Sequence, residues 1–313
     1  MTTLKMPQMP KIIDQTCLRA FLNSFDNVLT DCDGVLWSGD NIIGRANDAV
    51  NKLRSLGKKI FYVTNNSTKS RDEYVKKCEK LGFIASKEEI VSSSFVMAQY
   101  LKQQGFNKKV YVVGTSGMTA ELDNVGIAHT DIGPEPLTVS PFKLPETMEL
   151  DPEVGAVAVG FDADFSFPKL MRAASHLEDQ ECLFIATNTD ERFPITDSKL
   201  VFPGTGSFVR CVETVAERPP LIMGKPSEKM FTVISEKYQL KPSRTLMIGD
   251  RCNTDILFGK NCGLHTLVVL TGVTKKEDLE MWSKSSDEEK HRLLADYCLP
   301  QLGDLVDLLK TLE

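Results

Sequence analysis

The chain has 313 residues, 42% of them hydrophobic and 26% charged, with a formal net charge of −6 and a pI near 5.4. This suits about two domains of a globular protein. It argues against a broad electrostatic footprint for nucleic acid, and no apolar run approaches the roughly 18 to 20 residues that span a bilayer.

The opening M-T-T-L-K-M-P-Q-M-P-K holds no apolar signal-peptide core. Residues 1–25 read as a loose start with one short helix around Cys17 to Phe21. Val28–Asp31 reads as a strand, residues 45–56 as an amphipathic helix stopped by Gly57, and Ile60–Val63 as a buried strand. Ser70-x-x-Glu73 opens a helix that Gly82 closes, Ser86-x-x-Glu89 repeats the capping pattern, and a helix over Phe95–Lys102 ends at Gly105. A second unit starts with the strand Val110–Gly114 and the helix Met118–Asn124. Five prolines make residues 131–152 a loop or extended detour. The strand Val154–Phe161, a helix over 168–179, the strand Cys182–Ala186 and a helix from Gly204 to about Glu217 follow, and Pro219-Pro220 breaks the chain. Beyond it come the strand Leu221–Met223, a helix capped by Ser227, the strand Thr245–Ile248, a short helix Thr254–Cys262, the strand Thr266–Leu270 and a last helix over about Leu302–Leu312. Strands alternating with helices predict an α/β fold, with parallel sheets covered on both faces.

Polar groups collect after four of these strands. N-V-L-T-D-C-D-G-V-L-W places Asp31 and Asp33 two positions apart, and residues two apart on an extended segment share a face. Two carboxylates this close repel, which a hard cation such as Mg²⁺ relieves; an ordinary Asp-Gly turn is the other reading. Thr64-Asn65-Asn66 ends the next strand, and Lys225 follows Leu221–Met223. Asp250 and Asp255 follow Thr245–Ile248. Taken alone, Lys225 reads as a surface lysine and the last two acids as a helix cap with a first-turn acid. Together, after separate strands of a doubly wound sheet, they line one crevice and suit phosphoryl transfer.

In this order D-C-D-G-V, V-T-N-N, G-K-P and G-D-R-C-N-T-D resemble the four motifs of the haloacid dehalogenase-like phosphatase superfamily. The likeness continues through A-T-N-T-D, P-G-T-G-S and T-D-I-L-F-G. It is similar in particular to the eukaryotic phosphoglycolate, glycerol-3-phosphate and pyridoxal-phosphate phosphatases, the 4-nitrophenylphosphatase group. The resemblance implies a doubly wound, Rossmann-like core of residues 1–99 and 219–313 with an inserted α/β cap over 100–218. It implies a Mg²⁺-dependent phosphomonoesterase for a small metabolite. Asp31 would be the nucleophile and Asp33 the acid and base. Thr64, Asn65 and Lys225 would bind the phosphoryl group, with Asn66 on the substrate side or supporting the loop. Asp31, Asp250 and the main-chain carbonyl of Asp33 would hold the metal, with Asp255 completing or orienting that shell. It also implies a homodimer formed through the cap.

In the pyridoxal-phosphate branch a tryptophan–histidine–proline run follows A-T-N; here the matching stretch is Arg192-Phe193-Pro194. Loss of the histidine favours 2-phosphoglycolate or glycerol 3-phosphate, with pyridoxal 5′-phosphate as the alternative. Arg192 reads either as an anchor for a substrate carboxylate or as a surface arginine. A protein phosphatase fits less well, because a large cap excludes bulky substrates. A non-catalytic phosphate-binding module has no need of Asp33. The eight cysteines show no C-x-x-C pair or zinc spacing and read as reduced cytosolic thiols. No cysteine is followed six positions later by arginine, which excludes the thiol-phosphatase loop. An effect of Cys32 oxidation on activity stays an open hypothesis. Gly204-x-Gly206 lacks the third glycine of a dinucleotide site.

Overall fold

A computed structural model describes residues 8–193 and 199–311. Its strands, in chain order, are β1 (Lys11–Ile12), β2 (Asn27–Thr30), β3 (Trp37–Ser38), β4 (Asn41–Ile42), β5 (Lys59–Thr64), β6 (Ile90–Ser92), β7 (Lys109–Val113), β8 (Val154–Val159), β9 (Leu183–Ala186), β10 (Leu221–Ile222), β11 (Thr245–Gly249), β12 (His265–Val269) and β13 (Tyr297–Leu299). The chain divides into two compact units. The first comprises the described residues of Met1–Thr64, Val75–Val91 and Lys225–Glu313; the second comprises Asn65–Tyr74 and those of Ser92–Gly224.

The first unit is built on a seven-stranded sheet of order β1-β13-β12-β11-β2-β5-β6. Every pairing from β1 across to β5 is parallel. β2 and β11 are buried along their whole length, as expected of central strands covered on both faces. From β2 the chain runs outward through β5 to β6 in one direction, whereas β11, β12 and β13 run outward in the other. The order therefore reverses between β2 and β11, where open α/β sheets leave a crevice at the strands' carboxyl ends. Thr30 lies opposite Ile248 across that seam, and the Asp31 N–H donates to the Ile248 carbonyl at 2.8 Å.

The second unit has its own four-stranded sheet, β10-β9-β8-β7, parallel throughout. Val113, Val157, Val159, Phe184, Val209 and Val212 belong to its buried core. The boundaries differ from the expected 100–218. The helix Ser93–Gln103 belongs here, because Ser93 Oγ donates to the Asn65 carbonyl at 2.7 Å and Ser94 Oγ to that of Ser67 at 3.1 Å. Residues 65–74 belong here too. Buried Arg71 forms an ion pair at 3.0 Å with buried Glu121 and lies over the Phe95 ring at 4.0 Å. The proline pair is not the end of the unit, since β10 beyond it still pairs with β9.

Other local differences are small. The Ser70–Glu73 capping box is present: the Ser70 N–H donates to Glu73 at 2.8 Å and the Glu73 N–H to Ser70 Oγ at 3.3 Å. The proline-rich stretch contains one turn of 3₁₀-helix, Pro141–Lys143, and a short helix, Leu144–Thr147. The turn after β11 is a π-helical turn, Cys252–Ile256, running into the helix Leu257–Asn261. The last helix spans Leu305–Lys310 after a 3₁₀ turn; the expected end at residue 312 lies outside the described residues.

The strand order predicts that a chain cut after residue 99 will not fold, since β2 loses β11 and β1 loses β13. Circular dichroism should show no cooperative thermal transition for such a fragment; a soluble fragment with a sharp melt would contradict the interleaving.

Candidate active site

Asp31 is the first residue after β2 and Asp250 the first after β11. Adjacency of those two strands is what brings the acids together. The π-helical turn then returns Asp255 to the same point, and one carboxylate oxygen from each of the three lies within 4.8 Å of the others. Asp250 and Asp255 are buried; the Asp31 side chain is 13% exposed. Lys225 enters between them. Its ammonium lies 2.7 Å from Asp31 Oδ1, 2.7 Å from Asp255 Oδ1 and 3.1 Å from the Val63 carbonyl. The ammonium thus bridges two of the three carboxylates, and the charges of Lys225 and Arg251 both act on the third, Asp250. Burial pushes the Asp31 carboxyl well up, with Lys225 opposing and Asp255 and Asp250 adding to the rise. Burial pushes Asp250 up to about 6, and the Asp255 charge adds to it. Burial also works against the Lys225 ammonium, but Asp255 and Asp31 outweigh it and hold the group charged.

The cluster is braced by backbone. Asp250 Oδ2 accepts the Val273 N–H at 2.8 Å, and its carbonyl accepts the Thr274 N–H at 2.9 Å. Thr271 Oγ1 donates to the Gly34 carbonyl at 2.6 Å, and Asp255 Oδ2 accepts the Arg251 N–H at 3.1 Å. The loop Thr271–Thr274 was not singled out from the sequence. Its work is done mostly by peptide groups, and T-G-V-T after a strand is only a weak hint. Several glycines here leave no room for a side chain, and Gly249 and Gly272 make the tightest approaches to the acids. A Cβ on Gly249 would lie 2.1 Å from Asp255 Cβ, and one on Gly272 would lie 1.7 Å from Asp250 Oδ2.

The other expected residues are placed differently. Asp33 is partly exposed and stands outside the three-carboxylate group; its Oδ1 accepts the Trp37 indole N–H at 3.0 Å. Thr64 is buried at the end of β5. Asn65 and Asn66 belong to the second unit. There the Asn65 amide donates to Asp190 Oδ2 at 3.1 Å, and Asn66 Oδ1 accepts the Thr68 N–H at 3.0 Å. The Asn66 side chain is thus bonded within its own loop. Arg192 bridges to Pro203, and the Phe193 ring packs on Phe161 and Phe202 at 5.5 and 5.7 Å. Cys32 is fully buried, and burial pushes its thiol well up, the opposite of a reactive thiolate. The arrangement of acids and one lysine suits binding and transfer of a phosphoryl group.

The family model for haloacid dehalogenase-like hydrolases matches residues 28–128, and a second, HAD-hydrolase-like model matches 222–298. The chain is 38% identical over 312 residues to human glycerol-3-phosphate phosphatase, covering 95% of this chain and 97% of that protein. It is 42% identical over 265 residues to the chloroplastic phosphoglycolate phosphatase 1A of Arabidopsis thaliana, covering 83% and 72%. Among solved structures, a p-nitrophenyl phosphatase from Archaeoglobus fulgidus superposes with a TM-score of 0.75 at 28% identity over 91% of this chain and 99% of that one. A glycerol phosphate phosphatase from Mycobacterium tuberculosis, in complex with magnesium, gives 0.73 at 27% over 91% and 77%.

Replacing the buried Lys225 by methionine should destabilise the fold by about 3 kcal/mol, since it strips clustered carboxylates of their cation. Urea denaturation checks this. Unchanged stability would mean that the three acids do not need the ammonium.

Proposed function

Because the chain belongs to the haloacid dehalogenase-like hydrolase family and is a phosphatase, we propose that it hydrolyses the phosphomonoester of a small anionic metabolite, 2-phosphoglycolate or glycerol 3-phosphate. The observation that carries this reading is the convergence of Asp31, Asp250, Asp255 and Lys225 at the seam between β2 and β11. Phosphatases with those substrate names among the relatives support the substrate class. Arg192-Phe193 in place of a histidine run favours it over pyridoxal 5′-phosphate, and a positively charged arginine suits a carboxylate-bearing substrate.

Asp31 attacks the phosphorus to form an aspartyl-phosphate. Asp33 gives a proton to the leaving oxygen and later takes one from the hydrolytic water. Thr64 and Asn65 donate hydrogen bonds to the phosphoryl oxygens, and Lys225 offsets the charge of nucleophile and phosphate. Three clustered carboxylates, two of them bridged by one ammonium, fit a hard divalent ion. Asp31, Asp250 and the carbonyl of Asp33 would hold Mg²⁺, with Asp255 orienting them. When bound, the ion supplies charge compensation for the phosphoryl group. The second unit serves as the cap that sets specificity and pairs two copies into a homodimer. No helix among the described residues is long and apolar enough to cross a membrane, and the eight free cysteines are consistent with a cytosolic site of action.

Initial rates on 2-phosphoglycolate, glycerol 3-phosphate and pyridoxal 5′-phosphate, with Mg²⁺ and with EDTA, test the reading. One of the first two should be preferred, and EDTA should abolish turnover. Preference for pyridoxal phosphate would keep the chemistry and overturn the substrate assignment. Asp31→Asn should lower kcat by at least about 10³-fold, the scale of losing a covalent nucleophile, while the protein stays folded by circular dichroism. Wild-type turnover in that variant would remove Asp31 as nucleophile.

A further inference from the structure

We propose that Trp37 is a positioning residue for proton transfer: its indole N–H holds Asp33 Oδ1 as an acceptor, so that the proton travels at Oδ2. The inference rests on the reading of Asp33 as acid and base.

The turn after β2 aims the ring. The Cys32 carbonyl accepts the N–H groups of Leu36 at 2.9 Å and Trp37 at 3.2 Å, and the Gly34 N–H donates to the Trp37 carbonyl at 2.8 Å. Gly34 has φ of +88°, a conformation glycine adopts without strain. β3 then pairs with β4, Trp37 opposite Ile42. The folded-back turn sets Trp37 over Asp33. Trp37 is fully buried, the Phe83 ring meets it in a T-shaped contact with centroids 5.6 Å apart, and the Lys77 ammonium stands 4.5 Å from its ring centre. The indole therefore has one orientation. It is a donor only and needs an acceptor when buried, and that acceptor is Asp33. The cation over the ring draws electron density from it and strengthens the N–H as a donor. A carboxyl group otherwise turns broadly about its last torsion; the indole removes that freedom.

Asp33 gives up one proton in the first step and regains one in the second. A carboxylate oxygen of Asp31 bonds to phosphorus as the ester P–O bond breaks, and the proton on Asp33 Oδ2 passes to the departing oxygen. Water next attacks the phosphorus, and its proton returns to Asp33 Oδ2. The P–O bond to Asp31 breaks, its electron pair staying on the carboxylate, and phosphate leaves.

Leaving-group dependence tests this, because an alkoxide needs the proton and 4-nitrophenolate, a stable anion, does not. Single-turnover release of the leaving group is followed for 4-nitrophenyl phosphate and for whichever of glycerol 3-phosphate and 2-phosphoglycolate is turned over. Trp37→Phe keeps the buried ring and loses the N–H. It should slow alkoxide release about tenfold, the scale of one charge-assisted hydrogen bond, and 4-nitrophenolate release less than about twofold. Equal slowing of both, or no slowing of the alkyl ester, overturns the proposal. Asp33→Asn is measured alongside. If it releases the alkoxide at the wild-type rate, the reading of Asp33 has failed. If it is impaired and Trp37→Phe is not, the positioning role alone has failed. The double variant should be no slower than Asp33→Asn; additive losses would assign Trp37 a purely structural part. Should Trp37→Phe fail to fold, 3-benzothienylalanine at position 37 puts sulfur in place of the N–H in a ring of the same shape, and the same selective loss is required.

Discussion

Three carboxylates and one ammonium share the seam between β2 and β11, and that imbalance of charge is the constraint on which the rest depends. Such groups are held together only where the scaffold leaves them no alternative. Asp31 and Asp250 each follow a fully buried strand, and the two strands are hydrogen-bonded neighbours. Neither acid can retreat without breaking the ladder beneath it. The third, Asp255, is returned by a π-helical turn whose Arg251 N–H grips its second oxygen.

The braces around the cluster come from far along the chain. Lys225, Thr271 and Val273 each touch one of the acids or the turn beside them, and the Val63 carbonyl holds the Lys225 ammonium. This follows from the strand order. A parallel sheet whose strand order reverses at its centre collects the ends of segments widely separated in sequence, and a charge cluster at that point is stabilised by all of them at once. The parallel sheet is thus both scaffold and electrostatic frame.

Much of this was legible beforehand. Strands buried on both faces leave unbroken apolar runs, so β2, β5, β8, β9, β11 and β12 stand out, and so do the polar groups that follow them. The two- and three-residue strands β1, β3, β4, β6 and β13 are too short to carry a period, whereas the equally short β10 is read as part of the apolar run Leu221–Met223. Proline marks a bend in the chain, not the end of a sheet, so the pairing of β10 with β9 beyond Pro219-Pro220 has no signature in the letters. Peptide groups carry no signature, which hid the Thr271–Thr274 brace. Side-chain direction was equally hidden. Nothing in the letters tells that the Asn65 amide turns to Asp190, or that the Trp37 indole turns to Asp33.

The close contacts at Gly249 and Gly272 also bear on how this sequence can drift. Every single-base change in a glycine codon that yields another amino acid introduces a Cβ, and at both positions that atom falls inside a buried acid. Such changes leave all the chemically active side chains in place and still dislodge them. Two residues with no side chain are therefore as exposed to damaging mutation as the carboxylates they touch, and a variant survey of this protein should treat them as part of the active centre.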